Sequence, residues 1–81
     1  MRIFVNTFGP LKDYFGQTIT IELENKASII DLFNKLVQIN PKGELLLKNC
    51  QWAVNNNIIY GKNYELNDKQ EVFVMPPFSG G

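Results

Sequence analysis

The sequence predicts an α+β domain in which one main helix packs on a mixed sheet of four to five strands. Three observations carry that prediction. Apolar residues alternate with a period of two in residues 2–8, 18–24 and 71–75. Between the second and third of these segments, Ile29, Leu32, Phe33, Leu36, Val37 and Ile39 recur three and four residues apart, which is the period of a helix. The chain has 81 residues, 44% hydrophobic and 20% charged, enough apolar material for one core of a single small domain.

The elements follow in order. "RIFVNTF" (residues 2–8) sets Ile3, Val5 and Thr7 on one face and Phe4, Asn6 and Phe8 on the other, a strand apolar on both sides. Gly9-Pro10 interrupts it, and "LKDYFG" reads as a short turn or helical piece closing at Gly16. "QTITIELE" opposes Ile19, Ile21 and Leu23 to Thr18, Thr20, Glu22 and Glu24, the pattern of a half-buried strand at or near a sheet edge. Ser28 is placed to cap the main helix. Asp31, three residues on, suits both a capping box and the positive end of the helix dipole. Pro41 ends that helix soon after Asn40. "KGELLLKN" fits either a helical turn or a buried extended piece. "CQWAV" is a strand, "NNN" (residues 55–57) a tight turn tolerant of left-handed backbone, and "IIY" the returning strand. "GKNYELNDKQ" is polar and turn-rich, with Leu66 as its core candidate. "EVFVM" closes the sheet with Val72 and Val74 opposite Phe73 and Met75. The first and last strands, apolar on both faces, belong side by side in the middle of the sheet. This order is that of a β-grasp, the ubiquitin-like architecture, over residues 1–75, with residues 76–81 as an extended C-terminal tail.

Composition narrows the function. Eight basic residues balance eight acidic ones, so neither nucleic acid nor an anionic membrane is the expected partner. No apolar run approaches the ~20 residues of a membrane span, and "MRIFVNTFGP" lacks the apolar core of a signal peptide. The single Cys50 cannot form an internal disulfide, which suits a reducing, cytoplasmic setting. Cys50 itself reads as a small, half-buried apolar residue. Asp68 and Glu71 read as turn-forming and solvated, and Arg2, Lys12, Lys62 and Lys69 as solubility residues. Histidine is absent, which removes the commonest general base near neutral pH and the commonest metal ligand. The expectation is a chain with no metal site and no bound cofactor, whose chemistry is supplied by a partner.

The ending "PPFSGG" fits that expectation. Pro76 and Pro77 donate no amide hydrogen, so they stop a sheet ladder and favour an extended polyproline conformation. Residues 76–81 can reach about 20 Å, enough to enter a deep pocket. Phe78 is an aromatic anchor for another protein, Ser79 is small, and Gly80 and Gly81 carry no side chain to block a narrow slot. Such a tail suits presentation of the Gly81 carboxylate as the reactive group. A carboxylate becomes an electrophile once its oxygen is a leaving group, for example as an acyl-adenylate. A sulfur or an amine nucleophile could then attack.

The C-terminal third, "WAVNNNIIYGKNYELNDKQEVFVMPPFSGG", resembles the small sulfur-carrier subunits of molybdopterin synthase in the MoaD/ThiS family. The resemblance rests on Ala53, Val54 and Asn55, on Leu66 with Asp68, Glu71 and Val72, and on Pro76-Pro77 before Gly80-Gly81. It implies a β-grasp fold and a two-stage role. An adenylating activating enzyme consumes ATP at Gly81, and a sulfur donor then converts the terminus to a thiocarboxylate. The tail inserts into the large subunit of molybdopterin synthase, which holds the catalytic residues, and sulfur passes to cyclic pyranopterin monophosphate in molybdenum cofactor biosynthesis. The family arrangement is a heterotetramer, and it suggests a partner-facing patch of Phe8, Ile59 and Met75 beside the tail. The chain departs from the family where Lys69 and Gln70 replace the glycine and acid of an Asp-Gly-Asp-Glu-Val segment. It departs again where "KDY" replaces Arg-Glu-Leu, and where Phe78 replaces an aliphatic residue. Alternatives are a thiazole-pathway sulfur carrier, a ubiquitin-like modifier joined to lysines, and an interaction module that needs no terminal chemistry.

Overall fold

A computed structural model describes residues 1–76. Five strands form one mixed sheet in the order β2-β1-β5-β3-β4. They are β1 (Arg2–Thr7), β2 (Thr18–Glu22), β3 (Gln51–Val54), β4 (Asn57–Ile59) and β5 (Glu71–Met75), with helices α1 (Leu11–Phe15), α2 (Ile29–Ile39) and α3 (Glu44–Lys48) between them. β1 runs parallel to β5, and all other neighbours are antiparallel. The first and last strands are adjacent and internal, as their apolar faces predict, and β2 is an edge. This is the β-grasp.

α2 forms where the three-and-four spacing places it. Asp31 Oδ2 accepts the Ser28 N–H at 2.8 Å, so the acid half of the capping box is made. Ile29, Leu32, Phe33 and Leu36 are buried and join Ile3, Val5, Val54, Val72 and Val74 in one core. Phe33 reaches Trp52 on β3 with ring centroids 6.3 Å apart, so the helix stripe rests directly on the sheet. The stripe is narrower than the sequence suggests. Val37 is half-buried, and Ile39 is 48% exposed on the last turn of α2.

The ambiguous "KGELLLKN" is helical. Pro41–Gly43 make a 3-10 turn that leads into α3, and only Leu47 of the leucine run is fully buried. The tight connection is possible because Gly43 has no side chain, since a Cβ there would lie 2.8 Å from the Phe15 ring. α1 seals the same end of the core with Leu11 and Phe15. Thr7, the one fully buried polar residue among those described, is satisfied through its hydroxyl, which donates to the Gly16 carbonyl.

The turn before β5 is tied to the start of β1. Asp68 Oδ1 accepts the Arg2 N–H at 2.7 Å, and the Lys69 N–H donates to the Arg2 carbonyl at 2.6 Å. The hydrogen bond from Arg2 holds the Asp68 carboxyl below its ordinary pKa, because it favours the charged form. Lys69 itself takes a left-handed backbone with φ 65°.

Candidate functional site

Strand alternation gives the sheet two unlike faces. Against α2 lie the rows Ile19–Val5–Val72–Val54 and Thr7–Val74–Trp52–Ile59, read across the strands. The opposite face carries the row Thr18–Asn6–Phe73–Ala53–Ile58, which changes character halfway. On the β2 side it is polar. The Thr18 hydroxyl donates to Asn6 Oδ1 at 3.2 Å, and Asn6 Nδ2 donates to Glu71 Oε1 at 3.2 Å. From β5 to β4 it is apolar and continuous through Phe73, Ala53 and Ile58.

Phe8 extends that apolar half. It stacks on Phe73 with centroids 6.2 Å apart and planes 23° from parallel, yet it stays 43% exposed. Offset stacking of this kind is worth about 0.5–1.5 kcal/mol. Two aromatic rings are thus held together on a face where Phe8 and Ile58 remain exposed, a form suited to docking at little entropic cost. Met75 lies two residues along β5 from Phe73, half-buried on the same face and level with Gln51 of β3. Gln51 Oε1 is buried there with no hydrogen-bond partner among the described residues.

Of the sequence-predicted patch, Phe8 and Met75 therefore share the outer face, and Ile59 does not. Ile59 pairs with Trp52 in the helix-side row and packs against the core. Its neighbour Ile58 takes the outer position, 39% exposed. The cause is the turn. Asn55 and Asn56, with φ of 53° and 67°, form a two-residue loop that pairs Val54 with Asn57, and the alternation counted from that pair puts Ile58 outward. Phe73, at the centre of the patch, was legible in the sequence as the residue opposite Val72 and Val74.

Pro76 follows β5 at the end of the sheet where β1 gives way to Phe8, half-buried as it leaves the ladder. Pro77, Phe78, Ser79, Gly80 and Gly81 lie outside the described residues. Cys50 is half-buried; its thiol donates to the Leu46 carbonyl at 3.1 Å, and burial pushes its pKa up to about 11. It is a neutral thiol near neutral pH, not a nucleophile. Among the described residues, no group of three or more His, Cys, Asp or Glu is placed to hold a metal ion, and no helix is long and apolar enough to cross a membrane.

Comparison with known proteins gives matches to a family model, to a curated protein and to solved structures. The model of the ThiS family matches residues 5–81. A molybdopterin synthase sulfur carrier subunit from Chlamydomonas reinhardtii is 33% identical over 83 residues that cover all of both chains. Among solved structures, a putative molybdopterin converting factor subunit 1 from Pyrococcus furiosus superposes with a TM-score of 0.86 at 23% identity, over 95% of this chain and 98% of that one. A complex of subunits 1 and 2 of the molybdopterin-converting factor from Helicobacter pylori gives a TM-score of 0.74 at 26% identity, with both chains fully covered.

Proposed function

The chain belongs to the ThiS family, and from that membership we propose that it is the sulfur-carrier subunit of a molybdopterin synthase. The full-length match at 33% identity to a curated carrier subunit is the observation that carries this reading. The sheet supports it. A docking subunit needs a rigid apolar face next to the reactive end, and Phe8, Phe73, Ile58 and Met75 form such a face beside the exit of the tail. The Helicobacter pylori relative is a two-subunit complex, which supports a large subunit as the partner of this face.

In this reading the outer face holds the large subunit while Pro76, Pro77, Phe78, Ser79 and Gly80 thread the terminus into its active site. The chemistry begins earlier, on an activating enzyme. A Gly81 carboxylate oxygen attacks the α-phosphorus of ATP and expels pyrophosphate, leaving an acyl-adenylate. A sulfur donor then attacks the carbonyl carbon and expels AMP. Hydrosulfide as donor gives the thiocarboxylate directly. A persulfide donor gives an acyl disulfide, which a thiol cleaves to the thiocarboxylate and a mixed disulfide of thiol and donor. The large subunit then directs that sulfur onto cyclic pyranopterin monophosphate. The carrier contributes an accessible electrophile and a docking face, and its partners contribute the acid–base groups.

Intact mass of the protein incubated with ATP, a sulfur donor and the activating enzyme tests this. One oxygen replaced by one sulfur at Gly81, lost again when large subunit and cyclic pyranopterin monophosphate are added, is the expected result. No sulfur under conditions that load a control carrier, or a tail joined to protein lysines, refutes it. Sulfur that loads but passes only to a thiazole synthase refutes the molybdopterin assignment.

A further inference from the structure

Pro76, the last described residue, lies where two turns touch. β1 and β5 are parallel neighbours with Thr7 beside Val74, so the chain leaving β1 through Phe8 and Gly9 runs next to the chain leaving β5 through Met75 and Pro76. Gly9 has φ 60°, and an ideal Cβ on it would stand 3.0 Å from Cγ and 3.9 Å from Cδ of Pro76. Any residue but glycine therefore presses on the proline ring.

The Gly9 side is held in place. The Gly9 carbonyl accepts the Lys12 N–H at 3.2 Å and starts α1, while Phe8 before it is stacked on Phe73. Thr7 is fixed by its amide, which donates to the Gln17 carbonyl at 3.0 Å. Opposite, Val74 is fully buried in the ladder and Pro76 has a closed ring with a fixed φ. With the Gly9 side held, a Cβ at position 9 pushes the Pro76 ring outward by a few tenths of an ångström.

We propose that Gly9 is a positioning residue for the C-terminal tail: its missing Cβ lets the Pro76 ring seat against the β1–α1 turn, and that seat aims the chain toward the partner. The catalytic consequence rests on the sulfur-carrier reading above; the seat itself does not. Five residues beyond Pro76 span up to about 17 Å when drawn out, so a small rotation at the base moves Gly81 by ångströms. A tail that is not already aimed must be drawn into line by the partner, and that cost appears as weaker apparent binding.

The test compares full-length wild type with Gly9→Ala, Gly9→Asn, Pro76→Ala and the Gly9→Ala/Pro76→Ala pair. Asparagine tolerates the left-handed backbone, so Gly9→Asn adds the Cβ with little strain and guards against a variant that merely unfolds. One readout is the nuclear Overhauser contact between Gly9 Hα and the Pro76 ring, with the amide shifts of residues 77–81. The other is KM and kcat for the carrier in sulfur transfer with the large subunit. The contact should be present in wild type and lost in both Gly9 variants, with a rise of about tenfold in KM and little change in kcat. In the Pro76→Ala background, adding Gly9→Ala should change KM less than about twofold, because the ring is gone. Absence of the wild-type contact overturns the proposal, as does wild-type KM in Gly9→Asn or an equal KM penalty in both proline backgrounds. If the wild-type carrier takes no sulfur, the function reading falls and the seat is judged by its own readout: unchanged shifts at residues 77–81 in Gly9→Asn overturn it, and displaced shifts with loss of the contact uphold it.

Discussion

Replacing Lys69 with glycine should make this protein more stable. Lys69 holds φ 65°, a left-handed backbone that a residue with a Cβ adopts at a cost of about 1–2 kcal/mol. Its side chain is exposed, and the interactions that fix the turn are made by the backbone, by Asp68 and by Gln70, whose Oε1 accepts the Asn67 N–H at 2.9 Å. Truncation therefore removes no packing. Glycine gives back about 0.5–1 kcal/mol through the larger entropy of its unfolded chain, so the net gain is about 0.5–1 kcal/mol. For a domain of this size that is a rise of roughly 2–8 °C in Tm. The assay is thermal and urea unfolding of wild type, Lys69→Gly and Lys69→Ala. Alanine keeps the Cβ and removes the charge, so it should match wild type while glycine exceeds both with an unchanged m-value. A Lys69→Gly protein no more stable than Lys69→Ala refutes the reasoning. The family's customary glycine at this position has the same physical explanation, and this chain occupies the conformation without it.

The division of the sheet into two faces predicts opposite outcomes for adjacent isoleucines. Ile59→Ala should cost about 1–2 kcal/mol in urea unfolding, less than the roughly 2–5 kcal/mol of a fully buried isoleucine, whereas Ile58→Asp should leave stability within about 0.5 kcal/mol and weaken large-subunit binding at least about tenfold in calorimetric titration. The reverse pattern would place β4 in the other register. Cys50, with its pKa raised by burial from 9.0 to about 11, should react with iodoacetamide at pH 8 about a hundredfold more slowly than a free thiol, since only the thiolate attacks. Because the folded state binds the Cys50 proton more tightly than the unfolded chain, stability should fall as pH rises from 9 toward 11 and be insensitive to this group below that window. Mass-resolved alkylation at the free-thiol rate contradicts the burial of Cys50.

The sequence by itself determined the strands, the main helix and their order, because the two periods, the capping Ser28 and Asp31, and the breaks at Pro10 and Pro41 are local properties of the chain. The sequence left "KGELLLKN" open between helical and extended, and the structure made it α3. It also placed β1 and β5 at the centre of the sheet, since strands apolar on both faces must be covered on both sides or offer one face to a partner. The outer aromatic face was half legible: the alternation sets Phe8, Phe73 and Met75 opposite the core residues of their strands, and the structure places them on the outer face. What only the tertiary structure decided was register. A period of two is unchanged when the core and solvent sides are exchanged, and a slip of one residue flips every side chain. The exchange of Ile59 for Ile58 came from the left-handed turn at Asn55 and Asn56, which sets where β4 begins to pair. Likewise, nothing local in Phe8-Gly9-Pro10 points to Pro76, 67 positions away from Gly9 in the 81-residue chain. The parallel pairing of β1 with β5 brings the two ends together, and close approach through space is a property that no window of sequence contains.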